Sequence, residues 1–572
     1  MALPRLSPPL LGDEIRVERG CAVLPEEAFR EAVRWIESNH SAWIAGQLDR
    51  VLAHMPSALS ASLQTALADE LIVQELNSFD FDRLASWELG RLSGAKSAPG
   101  AMKPVSILSP PQGFVLSAFL AGWDAGTGGH GSRPRPRLAS HLAGMVALGI
   151  LVASFWGKWR LRAGSGLPAA HATFVTPTAM TNQGRHAFEM AAREPGSAVV
   201  LLGHGLLGGR RAHAIRRSCG AAALVWPVSF AAIGRALPQY LKLVSPVERA
   251  ASMMSIDFGR RRSLGERIEL CARLLRGLVF AQWAAGQPWP RTVAFSIGSR
   301  LDRQIADEAL RRQGAATAHM IHGLHGAGNA WGYRASNALA ITFLESERPL
   351  RRRYGRYGRE TSLQALRPGP GHTSALTQAG EDLLLCTNML HRSNPWFKRD
   401  PARIHLKLFD AAERWAKQWG CRNLLWRPHP AGAVHAPRQY AELCAAARMR
   451  GWSVADGPMA EVLARSKIVL TPPSGVFIDA LRHGRVPLLV SGVVNEVLEP
   501  WTNLPPELWV DIDASPSKDA SKLESLVDHL PDLQAKFLHP TWSEVAYADI
   551  DRAAWSAADE AHAVGDHIEE ST

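Results

Sequence analysis

Two short segments carry residue types suited to gripping a phosphate. The first is Arg427-Pro428-His429-Pro430. Its two prolines fix the backbone, remove two N–H donors and hold the imidazole in one direction. An imidazole beside a guanidinium suits phosphate oxygens through charge-assisted hydrogen bonds; a turn histidine that merely packs is the other reading. The second is Thr471-Pro472-Pro473-Ser474-Gly475, which precedes a helical pattern, Val476–His483, closed by Gly484. Gly475 permits close backbone approach, Ser474 offers a hydroxyl, and a helix start offers free amides. A serine that only caps the helix would look the same in sequence.

A third group is His322-Gly323 and His325-Gly326, at the end of an apolar run. An imidazole titrates near neutral pH, as a general base that takes a hydroxyl proton should; loop histidines in a glycine-rich turn are the alternative. Other patterns are weaker. Gly203-His204-Gly205-Leu206-Leu207-Gly208 formally matches the dinucleotide fingerprint but lacks the acid about 20 residues on that would hold a ribose. The Asp-x-Asp pairs at Asp80/Asp82, Asp511/Asp513 and Asp549/Asp551 would suit a chelated divalent ion. None is expected to follow a buried strand of a nucleotide-binding domain, so no metal site is assigned. Trp331, Trp396 and Trp426 lie near the motifs and are able to stack on a sugar or base.

These residues need strands and helices to position them. From about Ala170, short apolar runs alternate with helical ones: strands at Ala172–Val175, Ala198–Leu202, Thr292–Ser296 and Ala315–Ile321, with a helix at Arg300–Gln313. The Arg/Gly/Pro-rich stretch Arg351–Gly371 interrupts the alternation. A second cycle follows, with strands at Leu383–Cys386, Asn423–Trp426, Trp452–Val454, Lys467–Leu470 and Val486–Val490 and helices between them. Such alternation predicts parallel sheets with crossover helices, which bind ligands at the carboxyl ends of their strands. The expected fold is α/β: two Rossmann-like parallel-sheet domains facing a cleft, at 166–355 and 381–572, joined by a linker at 356–380. Residues 1–165 form a mainly helical extension, with helices expected from Pro25 through Trp35 and from Thr65 to Leu76.

Arg427-Pro428-His429-Pro430, followed by a strand and Thr471-Pro472-Pro473-Ser474-Gly475, resembles the carboxyl-terminal domain of bacterial surface-polysaccharide transferases. These are GT-B glycosyltransferases of the CMP-sialyl- and Kdo-transferase and CDP-glycerol polymerase group. The stretch Ile297–Gly323 is similar to a segment of the same group that ends in Gln-His-Gly or Trp-His-Gly, with Ile321 in place of the Gln or Trp. The resemblance implies donor phosphates held by His429 and Ser474, with Arg427, Thr471 and Gly475 beside them. It implies a base at His322, with His325 the neighbouring candidate, and no cofactor. Implied partners are a nucleotide-activated sugar or polyol phosphate, a glycan or lipid-linked glycan acceptor, and the inner face of the cytoplasmic membrane. Two rivals stand beside it: a nucleotide-sugar 2-epimerase, and a non-catalytic assembly subunit of similar fold.

Composition bounds these readings. The 572 residues are 46% hydrophobic and 20% charged, which excludes disordered, collagenous and mainly membrane-embedded classes. Six scattered cysteines without a Cys-x-x-Cys pair argue against a disulfide scaffold and for a reducing, cytoplasmic setting. Between Leu201 and Pro370 there are 26 Lys and Arg against 10 Asp and Glu, or +16, while the whole chain is +11 (64 minus 53). A basic middle suits phosphorylated ligands or anionic lipid; no nucleic-acid-binding pattern accompanies it, and nucleic acid is not expected as a partner. Leu138–Gly157 lacks formal charge over 20 residues but is diluted by Ser140, His141, Gly144, Gly149 and Ser154. A buried or membrane-surface helix is expected there.

Overall fold

The computed structural model describes residues 16–18, 21–24, 63–64, 66–67, 114–115 and 136–153. From 163 to 555 it describes all but 165, 177–181, 203–216, 218–219, 258–261, 263, 297–299, 322–338, 346–358, 369–379, 388–400, 430–432, 434–436, 473, 492–505, 512–525 and 543. The chain divides into two compact units. One comprises Ala125–Pro368 with Ser41–Glu75 and Pro540–Thr572; the other comprises Gly369–His539 with Met1–His40 and Leu76–Asp124.

In the amino-terminal region the described strands are β1 (Arg16–Glu18), β2 (Cys21–Leu24) and β3 (Phe114–Val115), paired antiparallel. These short strands are an addition within the extension, whose other described elements, at 63–64, 66–67 and Pro136–Ala153, are helical. The expected helix at Pro25–Trp35 lies outside the described residues; in the Thr65–Leu76 stretch, Ala66 and Leu67 are helical and buried.

The first unit is built on a seven-stranded sheet in the order β10-β9-β8-β7-β4-β5-β6, parallel throughout. Its strands are β4 (Thr173–Thr176), β5 (Ala198–Leu201), β6 (Ala223–Val225), β7 (Thr292–Phe295), β8 (Ala316–Met320), β9 (Leu339–Thr342) and β10 (Arg359–Ser362). Four of them, β4, β5, β7 and β9, are buried at every residue. That explains their lack of polar alternation, with threonine the only polar residue type in them: both faces of the sheet are covered. Helix α1 (Pro136–Ala153) packs on α3 (Phe230–Asp257) and α4 (Leu264–Ala284), and α2 (Asn182–Ala191) links β4 to β5. The Tyr240 hydroxyl donates to the Gly144 carbonyl at 3.2 Å. Ala143, Ala147 and Leu151 of α1 are buried, whereas Leu142, Met145, Val146, Ile150 and Val152 are exposed. Among the described residues no helix is long and apolar enough to cross a membrane.

The second unit holds a six-stranded parallel sheet in the order β13-β12-β11-β14-β15-β16. The strands are β11 (Asp382–Cys386), β12 (Asn423–Arg427), β13 (Ser453–Val454), β14 (Ser466–Thr471), β15 (Val486–Ser491) and β16 (Trp509–Asp511). In both sheets the chain winds outward from a central strand, returns beside it and winds the other way. The crossover falls between β4 and β7 in one sheet and between β11 and β14 in the other. Both sheets are thus the doubly wound Rossmann-like kind. Gly380 shows how tightly the second sheet is entered: a Cβ there would strike the Ser466 backbone.

The carboxyl-terminal stretch was expected to stay with the second sheet. Instead, residues from Pro540 on group with the first, because their polar and aromatic groups find partners at its amino-terminal edge. Tyr547 packs edge-on against Phe174, 5.5 Å between centroids, and its hydroxyl donates to the Thr292 carbonyl. Asp551 accepts from Arg291 and from Thr292 Oγ1, the latter at 2.6 Å, and Trp555 Nε1 donates to Thr292 Oγ1 at 3.0 Å. The amino ends of β4 and β7 are therefore covered, and one Asp-x-Asp pair has a structural use: Asp551 holds the tail, and Asp549 accepts from the Ala546 N–H. Asp511 differs from expectation in closing a strand, β16, at the edge of the second sheet.

Candidate functional site

The sequence motifs of the second unit lie at the carboxyl edge of its sheet. Strand β12 delivers Arg427, Pro428 and His429 there; β14 delivers Thr471, from which the chain turns through Ser474 and Gly475 into α10 (Val476–Arg482). The two strands are not neighbours. β11 pairs with both, which sets them roughly 10 Å apart at about 4.8 Å per strand. The residue between the motifs is Thr387, directly after β11, and the sequence reading missed it. Its N–H donates to the Arg427 carbonyl at 3.1 Å and its hydroxyl accepts from Trp426 Nε1 at 3.1 Å. The signal was available: the loop after the first strand of a doubly wound unit faces the switch point.

Thr471 and Ser474 come together, with their hydroxyl oxygens 2.9 Å apart. Thr471 Oγ1 donates to the Pro472 carbonyl at 2.9 Å, which leaves it to accept from Ser474. Ser474 also serves the helix, since its oxygen lies 3.3 Å from the Val476 N–H and its carbonyl accepts from Phe477. The next amide, of Ile478, goes to the Gly475 carbonyl. The first-turn amides of α10 are thus taken locally, and the capping role is occupied. Gly475 is exposed, and a Cβ built on it meets nothing within 4 Å. His429 is half-buried.

Arg427 has a different job from the one its neighbours suggested. Its Nη1 donates to the carbonyls of Ala455 at 3.1 Å and Gly457 at 2.6 Å. The guanidinium thereby ties the end of β12 to the loop that leads into α9 (Met459–Arg465). Leu425, on the same strand face, belongs to the apolar cluster of Leu384, Val462 and Val469. Trp426 faces the other way, onto Phe409 of α7 (Pro401–Gln418) and Tyr440 of α8 (Pro437–Met449). It is fully buried, so it is core and not a stacking platform. Burial pushes the Cys386 thiol, at the end of β11, up to about 12, which removes it as a nucleophile.

In the first unit, β8 carries the chain to Ile321, whose N–H donates to the Ile341 carbonyl at 3.0 Å. His322 and His325 lie outside the described residues, as do Trp331, Trp396 and Gly203–Gly208. Just upstream, a buried polar cluster fixes β8 to α5 (Leu301–Arg312). Asp307 accepts from Thr317 Oγ1, and its Oδ1 lies 3.4 Å from His319 Nε2. Burial alone would raise the Asp307 carboxyl, but His319, Arg311 and Thr317 outweigh it and hold it below the ordinary aspartate range. At the switch point, Ser296 Oγ donates to Thr176 Oγ1 at 2.9 Å.

No family model and no curated protein matches the chain. Among solved structures it is similar to a mutant of the Thermobaculum terrenum O-GlcNAc transferase, with 14% identity over 91% of this chain and 99% of that one, at a TM-score of 0.32. It is also similar to S. aureus MnaA with UDP (10% identity, 65% and 92% covered, TM-score 0.32). A UDP-N-acetylglucosamine 2-epimerase matches at 12% identity over 69% and 95%, with a TM-score of 0.35. The fold class rests on the two strand orders.

Proposed function

We propose that the chain is a metal-independent glycosyltransferase of the GT-B kind. It would move a sugar, or a polyol phosphate, from a nucleotide-activated donor to a growing bacterial surface glycan. One observation carries the reading: the carboxyl ends of β12 and β14 flank the switch-point strand β11 and bring His429, Thr387 and the Thr471–Ser474 hydroxyl pair to one edge of one sheet. Such an edge offers the Thr387 hydroxyl and the His429 imidazole to the donor's phosphates, and Ser474 joins them by turning its proton from Thr471 to a phosphate oxygen, as the glycosidic bond breaks and negative charge gathers on the leaving nucleotide. Arg427 sets the loop beside His429. In the other unit, His322 takes the proton of the attacking hydroxyl. The α1 face of Leu142, Met145, Val146, Ile150 and Val152 lies between basic flanks in the sequence, Arg133, Arg135 and Arg137 before it and Lys158, Arg160 and Arg162 after. That combination suits a helix lying on an anionic bilayer surface.

The test is a thermal-shift screen with CMP, CDP, UDP and GDP, followed by donor hydrolysis with the matching sugar nucleotide. One nucleotide should raise the melting temperature. His429→Ala should weaken its binding about tenfold to a hundredfold, the value of a charge-assisted hydrogen bond of roughly 1.5–3 kcal/mol, without lowering the unliganded midpoint. Nucleotide binding without turnover would favour the non-catalytic subunit. Conversion of UDP-N-acetylglucosamine into its C2 epimer, with no acceptor needed, would favour an epimerase.

A further inference from the structure

Trp426, the residue before Arg427, is fully buried and wedged between the rings of Phe409, at 5.2 Å and 87°, and Tyr440, at 6.4 Å. A side chain packed so closely keeps one orientation. Its single polar atom is used: the indole N–H, which can only donate, reaches Thr387 Oγ1 at 3.1 Å. Arg427 holds the same threonine by its main chain, since its carbonyl accepts from the Thr387 N–H at 3.1 Å. Two consecutive residues of β12 thus fix Thr387 by side chain and by backbone. The branch at its Cβ leaves few rotamers in which to escape them.

Those bonds decide which way the Thr387 hydroxyl works. A hydroxyl has one proton and two lone pairs. The indole takes a lone pair, so the O–H is turned away from Trp426. Among the described residues nothing accepts that proton: the bond from Trp426 is the hydroxyl's only one. Thr387 is 6% exposed, and a sheltered donor with nothing to meet is seldom kept without a use. Its place in the fold points to that use. Thr387 follows the switch-point strand β11, between β12 and β14, at the sheet edge where doubly wound units receive their ligands. Ser474 is in a different state. Its proton goes to Thr471, whose own goes to the Pro472 carbonyl, and a ligand has to draw it away. Thr387 is set before any ligand arrives, and a donor held ready needs no rearrangement.

We propose that Trp426 is a positioning residue: its indole N–H aims the Thr387 hydroxyl proton at an oxygen of a phosphate group bound over the end of β11, and so makes Thr387 the preset donor of the site. The partner atom must accept, and a phosphate oxygen, charged and without a proton, does so best. That the phosphate belongs to a nucleotide-activated sugar rests on the transferase reading; the oriented hydroxyl does not.

Inorganic pyrophosphate, CMP, CDP, UDP and GDP are the probes, each titrated calorimetrically into the full chain. Thr387→Val keeps the branched shape and loses the hydroxyl; it should weaken binding about tenfold, and Thr387→Ser should recover most of the loss. Trp426→Phe keeps a ring against Phe409 and loses the N–H; it should weaken binding about threefold to tenfold. Added to Thr387→Val, the same change should cost no further affinity, because the hydroxyl it orients is already gone. A general loosening of the core would instead add its loss to that of Thr387→Val. One measurement needs no change at Trp426. With the tryptophan indole nitrogens isotope-labelled, the indole signal that moves in Thr387→Val should also move when pyrophosphate is added to the parent. Affinity unchanged in Thr387→Val would overturn the inference and leave the transferase reading standing. Additive losses, or an indole signal indifferent to pyrophosphate, would overturn the role of Trp426. If pyrophosphate binds with the expected dependence on Thr387 and Trp426 while none of the nucleotides binds, the transferase reading fails and the oriented donor stands. If no probe binds, both fail.

Discussion

Replacing Arg427 by methionine separates two roles that the sequence alone leaves entangled. The guanidinium makes one part-buried hydrogen bond, 3.1 Å to the Ala455 carbonyl, and one exposed bond, 2.6 Å to the Gly457 carbonyl. A charge-assisted bond in a sheltered setting is worth roughly 1.5–3 kcal/mol, and an exposed one about 1 kcal/mol or less. Methionine keeps the apolar stem, so the loss should be roughly 2–3 kcal/mol, carried by the unit that contains Gly369–His539. For a unit of this size each kcal/mol moves the midpoint by about 2–4 °C. The expected fall is therefore about 5–10 °C in that unit's transition, read by scanning calorimetry or intrinsic fluorescence. The nucleotide-induced rise in midpoint should persist, because the loop, and not the phosphate, loses its partner. An Arg427→Met protein with an unchanged midpoint and no response to nucleotide would refute the argument. Arg427 would then be a phosphate ligand, as the motif first suggested.

Three further outcomes are expected. His322→Ala should cut turnover by about 10²–10⁴, the usual worth of a general base, with donor binding nearly unchanged. His325→Ala should cost much less, and an essential His325 beside a dispensable His322 would move the base by one motif. The Asp551 carboxyl is raised by burial but lowered further by the hydrogen bonds from Arg291 and Thr292, and ends below its ordinary value of 3.8. Its folded pKa is thus below its unfolded one, so its stabilisation is present above that value and is lost as pH falls through the folded pKa. Urea midpoints between about pH 5 and pH 2.5 should decline less steeply in Asp551→Asn than in the parent; equal slopes would show that the tail contact does not matter. Finally, high salt or carbonate should release the protein from membranes, since each well-placed base contributes roughly 1 kcal/mol of attraction to anionic lipid. Retention through both washes would contradict surface attachment by α1.

What the sequence determined by itself was local. Apolar runs such as Ala198–Leu201 and Leu383–Cys386 are long enough and clean enough to be buried parallel strands. Glycines at positive φ, Gly314, Gly420, Gly451 and Gly484, punctuate the helix ends where a left-handed residue is needed. The motifs around His429 and Ser474 were legible because proline, glycine and hydroxyl residues mark a strand-to-loop junction whatever surrounds it. The tertiary structure decided which elements meet. Strand order is a long-range property, so placing β11 between β12 and β14, and hence Thr387 between the two motifs, needed the whole sheet. Short edge strands such as β10 and β16 take their identity from a neighbour's ladder and not from their own pattern. The tail beyond Pro540 reads like any amphipathic segment, and only the partners waiting at Thr292, Phe174 and Arg291 assign it to the first sheet. The contacts of Arg427 depend on two carbonyls nearly thirty residues away, which no local pattern reveals. Arg276 and Asp302 lie on two helices that only Gly277 lets touch, so their ion pair was not legible until packing brought the helices together.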